Sequence, residues 1–247
     1  MFAETDTEDV NLLEQQPMGL FSLIIKSSSE KLAFTQEQVS LTRGWFELKR
    51  LDNACLYNKF KSTQREKLGH YSKLPISVYP PLRVVTLYDN PGELPELIDL
   101  SQHQAVSPGS IGIAQDRSYG DYINGMVEQH PEHFFKRGGM DSSETLIDML
   151  VKGRVQGIIE YSGEVEAYID RHNMDVKVHS IPIKHVTEPD YGYMVCSKSA
   201  TGLALIEAMD EIMQQTNFQQ QYIETHNAFF TEEERQLLAP ELEKIFN

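Results

Sequence analysis

Apolar and polar positions alternate along this chain with two periods, one near 3.6 residues and one near two. The helical period is clearest at 142–152 (SSETLIDMLVK). There Leu146, Ile147, Leu150 and Val151 share one face, Ser142 stands as an N-cap and Gly153 as a stop. Helices are also expected at 94–100, 119–129 and 164–171. Short runs rich in β-branched and aromatic residues predict strands at 54–57, 110–114, 155–159, 176–183 and 191–197. The run at 18–25 (MGLFSLII) reads equally as a strand or a buried helical turn. The segment at 39–51 mixes apolar and basic residues. The segment at 76–88 is β-rich but carries Pro80 and Pro81, and a prolyl pair belongs at a sheet edge or at a crossing between units. Asp89, Asn90, Pro91 and Gly92 signal a turn. Residues 4–16 read as a polar, acidic arm. From residue 200 onward the pattern is helical, with breaks expected near Asn227 and Pro240.

Strands that alternate with helices predict an α/β protein. The β-rich passages at 76–88 and 176–197 bracket a self-contained α/β run. The chain is therefore expected to leave one unit, build a second, and return. The expected lobes are 1–83 plus 193–247, and 84–192, joined by two hinge crossings. A cleft between lobes is a common ligand site.

Composition narrows the function classes. The 247 residues are 40% apolar and 24% charged, which is ordinary globular material. The 22 basic and 37 acidic residues leave a net charge of −15. A field of that sign repels phosphate backbones and anionic lipid, so no nucleic-acid partner is expected. The two cysteines, Cys55 and Cys196, form no CxxC; spacing alone leaves open whether they pair. No apolar run reaches the ~20 residues that span a bilayer. No intact signal peptide is evident either.

The order of motifs resembles that of the family 3 extracellular solute-binding proteins, the polar amino-acid receptors of ABC importers. Lys61-Ser62-Thr63-Gln64-Arg65-Glu66, followed by Tyr71-Ser72-Lys73-Leu74-Pro75, resembles the family's T-x-x-R … F-S-x-P-Y passage. Ser62 stands in the threonine position and the proline falls one residue late. Ile111-Gly112-Ile113-Ala114-Gln115 resembles the strand leading into the second-lobe ligand loop. Leu150-Val151-Lys152-Gly153-Arg154-Val155 resembles L-x-x-G-R-x-D-A, and Tyr191-Gly192-Tyr193-Met194-Val195 the return strand. The likeness covers about residues 54–225, and its weight lies in the shared order.

That resemblance implies a two-lobed, type 2 periplasmic-binding-protein architecture and a set of ligand-binding residues. Arg65 falls at the arginine that clamps a ligand carboxylate through its bidentate fork. Asn58, Phe60 and Ser62 fall among the cleft-lining positions of the first lobe. Arg117, Ser118 and Tyr119 stand in the second-lobe turn, where hydroxyls and N–H groups meet a helix N-terminus. Asp116 replaces the usual glycine there. Tyr161, with Glu160 beside it, occupies the place of the aspartate that holds a ligand ammonium, and Gln156 replaces the D of the motif. Tyrosine supplies no full counter-charge, and neighbouring strand residues are expected to face opposite ways. Nothing before Gly44 reads like the family's opening loop and helix.

The expected function is a receptor that captures a small polar, carboxylate-bearing solute, presents it to a membrane permease and catalyses nothing. It is expected to be monomeric and periplasmic, its signal removed, with no cofactor and no metal. GxSxG, HExxH, P-loop and GxGxxG motifs are all missing from the sequence. His130 and His133 have a spacing seen in metal ligands, but no third ligand converges on them in sequence. Two alternatives are a sensory module of the same fold and, with Glu160 as the one nearby acid–base candidate, an enzyme such as a dehydratase.

Overall fold

The computed structural model describes residues 2–3, 18–28, 32–35, 37–88, 95–102, 110–228 and 230–246. The acidic arm at 4–16 and the turn at Asp89 lie outside these. The chain forms two compact units, Met1–Tyr79 with Tyr191–Asn247, and Pro80–Asp190. The first crossing falls at the prolyl pair, where Pro80 has no N–H to extend a ladder. The expected crossings stood at 83/84 and 192/193. No helix among the described residues is long and apolar enough to cross a membrane.

The first unit is built on a mixed sheet. Its strands are β1 (Phe2–Ala3), β2 (Glu37–Gln38), β3 (Cys55–Lys59), β4 (Gly69–Tyr71), β5 (Ser77–Tyr79) and β11 (Asp190–Ser197). The order is β2-β1-β3-β11-β4, with β5 also paired to β11. The two-residue period sorts side chains between two cores. Cys55, Tyr57, Met194 and Cys196 enter the core beneath helices α1 (Met18–Ser27), α6 (Ala200–Met213), α7 (Thr216–Asn227) and α8 (Glu232–Phe246). Ala54, Leu56 and Val195 meet Trp45 and Leu48 of α2 (Leu41–Arg50) on the other face. Ser40 caps α2, its Oγ accepting from the Arg43 N–H at 3.3 Å. Cys55 and Cys196 lie directly opposite in the antiparallel β3–β11 ladder and are joined as a disulfide.

The second unit carries strands β6 (Arg83–Leu87), β7 (Ile111–Ala114), β8 (Phe134–Arg137), β9 (Gly157–Glu160) and β10 (Val178–Pro182) in the order β10-β6-β9-β7-β8. Strands β9, β7 and β8 are parallel; β6 and β10 are antiparallel additions. Helices α3 (Gly120–Gln129), α4 (Ser142–Val151) and α5 (Ser162–Arg171) connect them. Leu146, Ile147 and Leu150 of α4 pack with Val165, Tyr168 and Ile169 of α5 over Val85 and Ile158. The first and last strands of the unit run side by side, Arg83 opposite Pro182.

Four sequence expectations need correction or completion. Residues 18–25 are helical. Residues 95–100 are not: the chain there bends and makes one bridge, Ile98 to Ile183. Asp141, in the left-handed region at φ 55°, holds the N-cap position of α4 and Ser142 is its first residue. Pro240 sits inside α8 without ending it, since its ring is exposed while Leu238 and Leu242 anchor the helix on its buried side. The expected break near Asn227 is present, since α7 ends there and α8 begins at Glu232, and a further break falls between α6 and α7, at residues 214 and 215.

Candidate functional site

In the second unit, β7 and β9 end on the same edge of the sheet, as parallel strands must, and each opens into a turn that begins a helix. Ligands of open α/β sheets bind at this carboxyl edge. After β7, Asp116 takes a left-handed φ of 63°, which turns the chain so that Arg117 reaches across to the end of β9. There its guanidinium forks onto both carboxylate oxygens of Glu160. Nη2 donates to Oε1 at 2.6 Å and Nη1 to Oε2, and Nη1 also lies 3.3 Å from the Ser143 Oγ. The pair is largely buried, with side-chain exposures of 18% and 7%.

Two aromatic rings flank the guanidinium, Tyr119 at 5.1 Å and Tyr161 at 5.5 Å from its carbon. Each is pinned by its hydroxyl. Tyr119 accepts from the Ala114 N–H at 2.6 Å, and Tyr161 donates to Asp190 Oδ2 at 3.1 Å. The Tyr161 N–H donates to Glu160 Oε1 at 3.0 Å. Ser118 faces Asn124, whose side-chain amide donates to its Oγ at 3.1 Å. Burial pushes the Asp190 carboxyl up to about 6, against the Tyr161 hydrogen bond and the Arg117 charge.

The structure thus gathers Arg117, Tyr119, Glu160 and Tyr161 into one cluster, with Ser118 on its margin. Glu160 and Tyr161 meet the same guanidinium although they are consecutive, because β9 ends at Glu160 and Tyr161 is already the N-cap of α5, so strand alternation no longer applies between them. Asp190 and Ser143 were missed. Ser143 could be read only as a helix-start residue, and Asp190 only as an acid preceding the return strand.

The first-unit candidates do not converge in the same way. Asn58 has φ 55° and turns its amide inward: Ser77 Oγ donates to its Oδ1 at 2.6 Å, and its Nδ2 donates to the Tyr79 hydroxyl at 3.0 Å. Gly192 lies against this amide, where a Cβ would overlap Oδ1. The Phe60 carbonyl accepts from the Tyr71 hydroxyl at 3.3 Å. Ser62 Oγ accepts from the Arg65 N–H at 3.3 Å, just before the 3-10 turn Arg65–Lys67. Arg65 stacks over Trp45, 4.8 Å from the ring. Beside it, Lys61 donates to the Ser72 carbonyl at 2.9 Å and lies 3.8 Å over the Tyr193 ring. Desolvation lowers the Lys61 pKa, against the pull of Glu66 and Asp210. Lys61 stands inside the quoted T-x-x-R passage, yet its type gave no sign of this partly buried seat.

No family model and no curated protein sequence matches the chain. Solved structures do. An ancestral arginine-binding protein bound to arginine superposes with a TM-score of 0.68 at 14% identity, covering 93% of this chain and 96% of the other. This is the type 2 periplasmic-binding-protein fold. A putative L-cystine ABC transporter protein from Listeria monocytogenes has the same fold, with a TM-score of 0.65 at 15% identity over 87% of each chain. So does a histidine kinase sensor domain similar to periplasmic binding proteins, with a TM-score of 0.68 at 11% identity over 93% and 94%. The periplasmic-binding-protein fold places the Arg117 cluster on the carboxyl edge of its second-unit sheet.

Proposed function

We propose that this protein is a receptor for a small, polar, carboxylate-bearing solute, that it delivers this solute to an ABC-type importer outside the cytoplasm, and that it catalyses no reaction. The carrying observation is the cluster of Arg117, Glu160, Tyr119, Tyr161 and Asp190 at the carboxyl edge of β7 and β9. It sets two aromatic faces and the Asp190 carboxyl around an Arg117–Glu160 pair whose charges satisfy each other. A polar solute needs such a set, and no residue in it stands as an activated nucleophile. Glu160 already fills the Arg117 fork, and the carboxylate-clamping role of Arg65 rests on the resemblance. Asp190, ionised above about pH 6, offers a counter-charge for an ammonium. Neighbours of the same fold that bind arginine or belong to a cystine importer support this reading.

A thermal-shift screen of amino acids, small carboxylates, peptides and sugars tests it, since a ligand that binds the folded state raises the melting temperature by mass action. A hit among carboxylate-bearing solutes is expected, and Arg65→Ala should weaken that hit by about 1.5–3 kcal/mol, the scale of a charge-assisted hydrogen bond. A hit confined to sugars, or unchanged affinity in Arg65→Ala, refutes the carboxylate assignment. The sensor-domain neighbour favours a second reading, a signalling module of the same fold. Co-purification of the liganded protein with a kinase rather than a permease would select it.

A further inference from the structure

The 3-10 turn Pro131–His133 enters β8 in the second unit, and His130 stands at its N-cap. Three donors meet there. His130 Nδ1 lies 3.8 Å and His133 Nε2 3.7 Å from Glu132 Oε1, and one ligand atom from each residue falls within 4.8 Å of the others. The two imidazoles stack with planes 8° apart and centroids 5.2 Å apart. The turn that carries them is fixed by Pro131 and by backbone bonds from the His133 N–H to the His130 carbonyl at 3.0 Å and from the His130 N–H to the Met126 carbonyl at 2.8 Å.

We propose that His130, Glu132 and His133 bind one divalent transition-metal ion, with zinc the best match. Two imidazoles and one carboxylate are borderline donors, suited to zinc and its neighbours rather than to calcium or magnesium. Tetrahedral zinc at ~2.0–2.1 Å from each donor needs donor atoms about 3.4 Å apart. The two separations from Glu132 exceed that by a few tenths of an ångström and the histidine donors lie within 4.8 Å of each other, so the exposed Glu132 and the partly exposed His130 side chains must close onto the buried His133. His133 is buried at 1% exposure, so one ligand is rigidly held while the other two open to solvent. Three protein ligands leave a fourth position for water or for a donor from another molecule, which makes the site exchangeable. The net charge of −15 raises the local concentration of divalent cations.

The site is separate from the Arg117 cluster. Strands β7 and β8 are parallel with Ile111 opposite Phe134 and Ala114 opposite Arg137. The His130–His133 turn therefore precedes the amino end of β8, and Arg117 follows the carboxyl end of β7. About four residues of strand, roughly 13 Å, lie between them.

Titration of the chelator-treated full chain with zinc chloride by calorimetry, with melting followed in parallel, tests the proposal. One zinc per chain and a raised melting temperature are expected. Glu132→Ala and His130→Ala, both at solvent-accessible side chains, should each weaken zinc by about tenfold or more, because each removes a direct ligand. Cobalt should give a visible d–d absorption with the wild type that the double variant lacks. No zinc-dependent heat or melting shift in the wild type would overturn the proposal. So would undiminished zinc binding in the His130→Ala, Glu132→Ala double variant, which would place the ion on other histidines.

Discussion

Breaking the Cys55–Cys196 disulfide should cost this protein a large part of its stability. The bond closes a loop of 141 residues, and both sulfurs lie in the core of the first unit with no solvent exposure. In the chain-entropy description, a cross-link stabilises by restricting the unfolded chain, and a loop of that length is worth about 5 kcal/mol at 25 °C. The second unit, Pro80–Asp190, lies wholly inside the loop. If that unit stays folded while the first melts, only about 30 residues of flexible chain are closed, and the gain falls to about 4 kcal/mol. The double variant Cys55→Ala, Cys196→Ala and the wild type, each unfolded in urea with and without reductant, measure the difference. The expected result is a loss of about 4–5 kcal/mol in the variant, matched by reduction of the wild type. A loss below about 1 kcal/mol would refute the reasoning, because it would mean that the closed loop contributes almost no restriction. A melting transition of the second unit untouched by reductant would assign the whole effect to the first unit.

Other perturbations probe the remaining interactions. Glu160→Ala leaves the Arg117 guanidinium buried without its carboxylate, and should destabilise the second unit by about 3–5 kcal/mol in urea melts; a change under about 1 kcal/mol would show that solvent screens the pair. Burial lowers the His226 pKa to about 4, so the unfolded state takes up a proton near its ordinary pKa while the folded state refuses it. Its contribution is therefore intact above about pH 6.5 and is lost as pH falls toward 4, by about 3 kcal/mol. The wild type minus His226→Phe difference across that window isolates the effect from Asp190, whose raised pKa acts with the opposite sign; a flat difference would refute it. Gly192→Ala should cost about 1–3 kcal/mol, because its Cβ meets the Asn58 amide. Asn58→Ala in the same chain should recover part of that loss.

Much of this architecture could be read from local pattern, and the exceptions share a cause. Strands β7, β9 and β11 are apolar runs bounded by turn residues, and α4 shows its apolar face at helical spacing, so short-range sequence describes them. Residues 18–25 were ambiguous because an apolar run of that length suits either structure, and only packing against Ile206, Met209 and Phe218 decides it. Residues 94–100 had helical composition, yet the bridge to Ile183 joins positions 85 residues apart in sequence. The same holds at the candidate site. The residue types at 117–119 and 160–161 drew notice, but the fork of Arg117 on Glu160 spans 43 residues. Asp190 enters only through its hydrogen bond to Tyr161, 29 residues away. Convergence in space has no local signature. Glu132 is the exception, since it stands between His130 and His133 in the sequence and was passed over there as a third donor.

The side-by-side placement of Arg83 and Pro182 makes the second unit a portable cassette. Its entry and exit strands are hydrogen-bonded neighbours, so the unit begins and ends at one place on its own sheet. The first unit is complementary in this respect, since the Ile76 N–H donates to the Gly192 carbonyl at 2.7 Å and keeps its two severed ends close. A gene for residues 80–190 could therefore be excised, the host closed with a short linker, and the cassette grafted into a surface turn of another protein without stretching either chain. New termini could likewise be opened in the second unit, with the disulfide still holding β3 to β11.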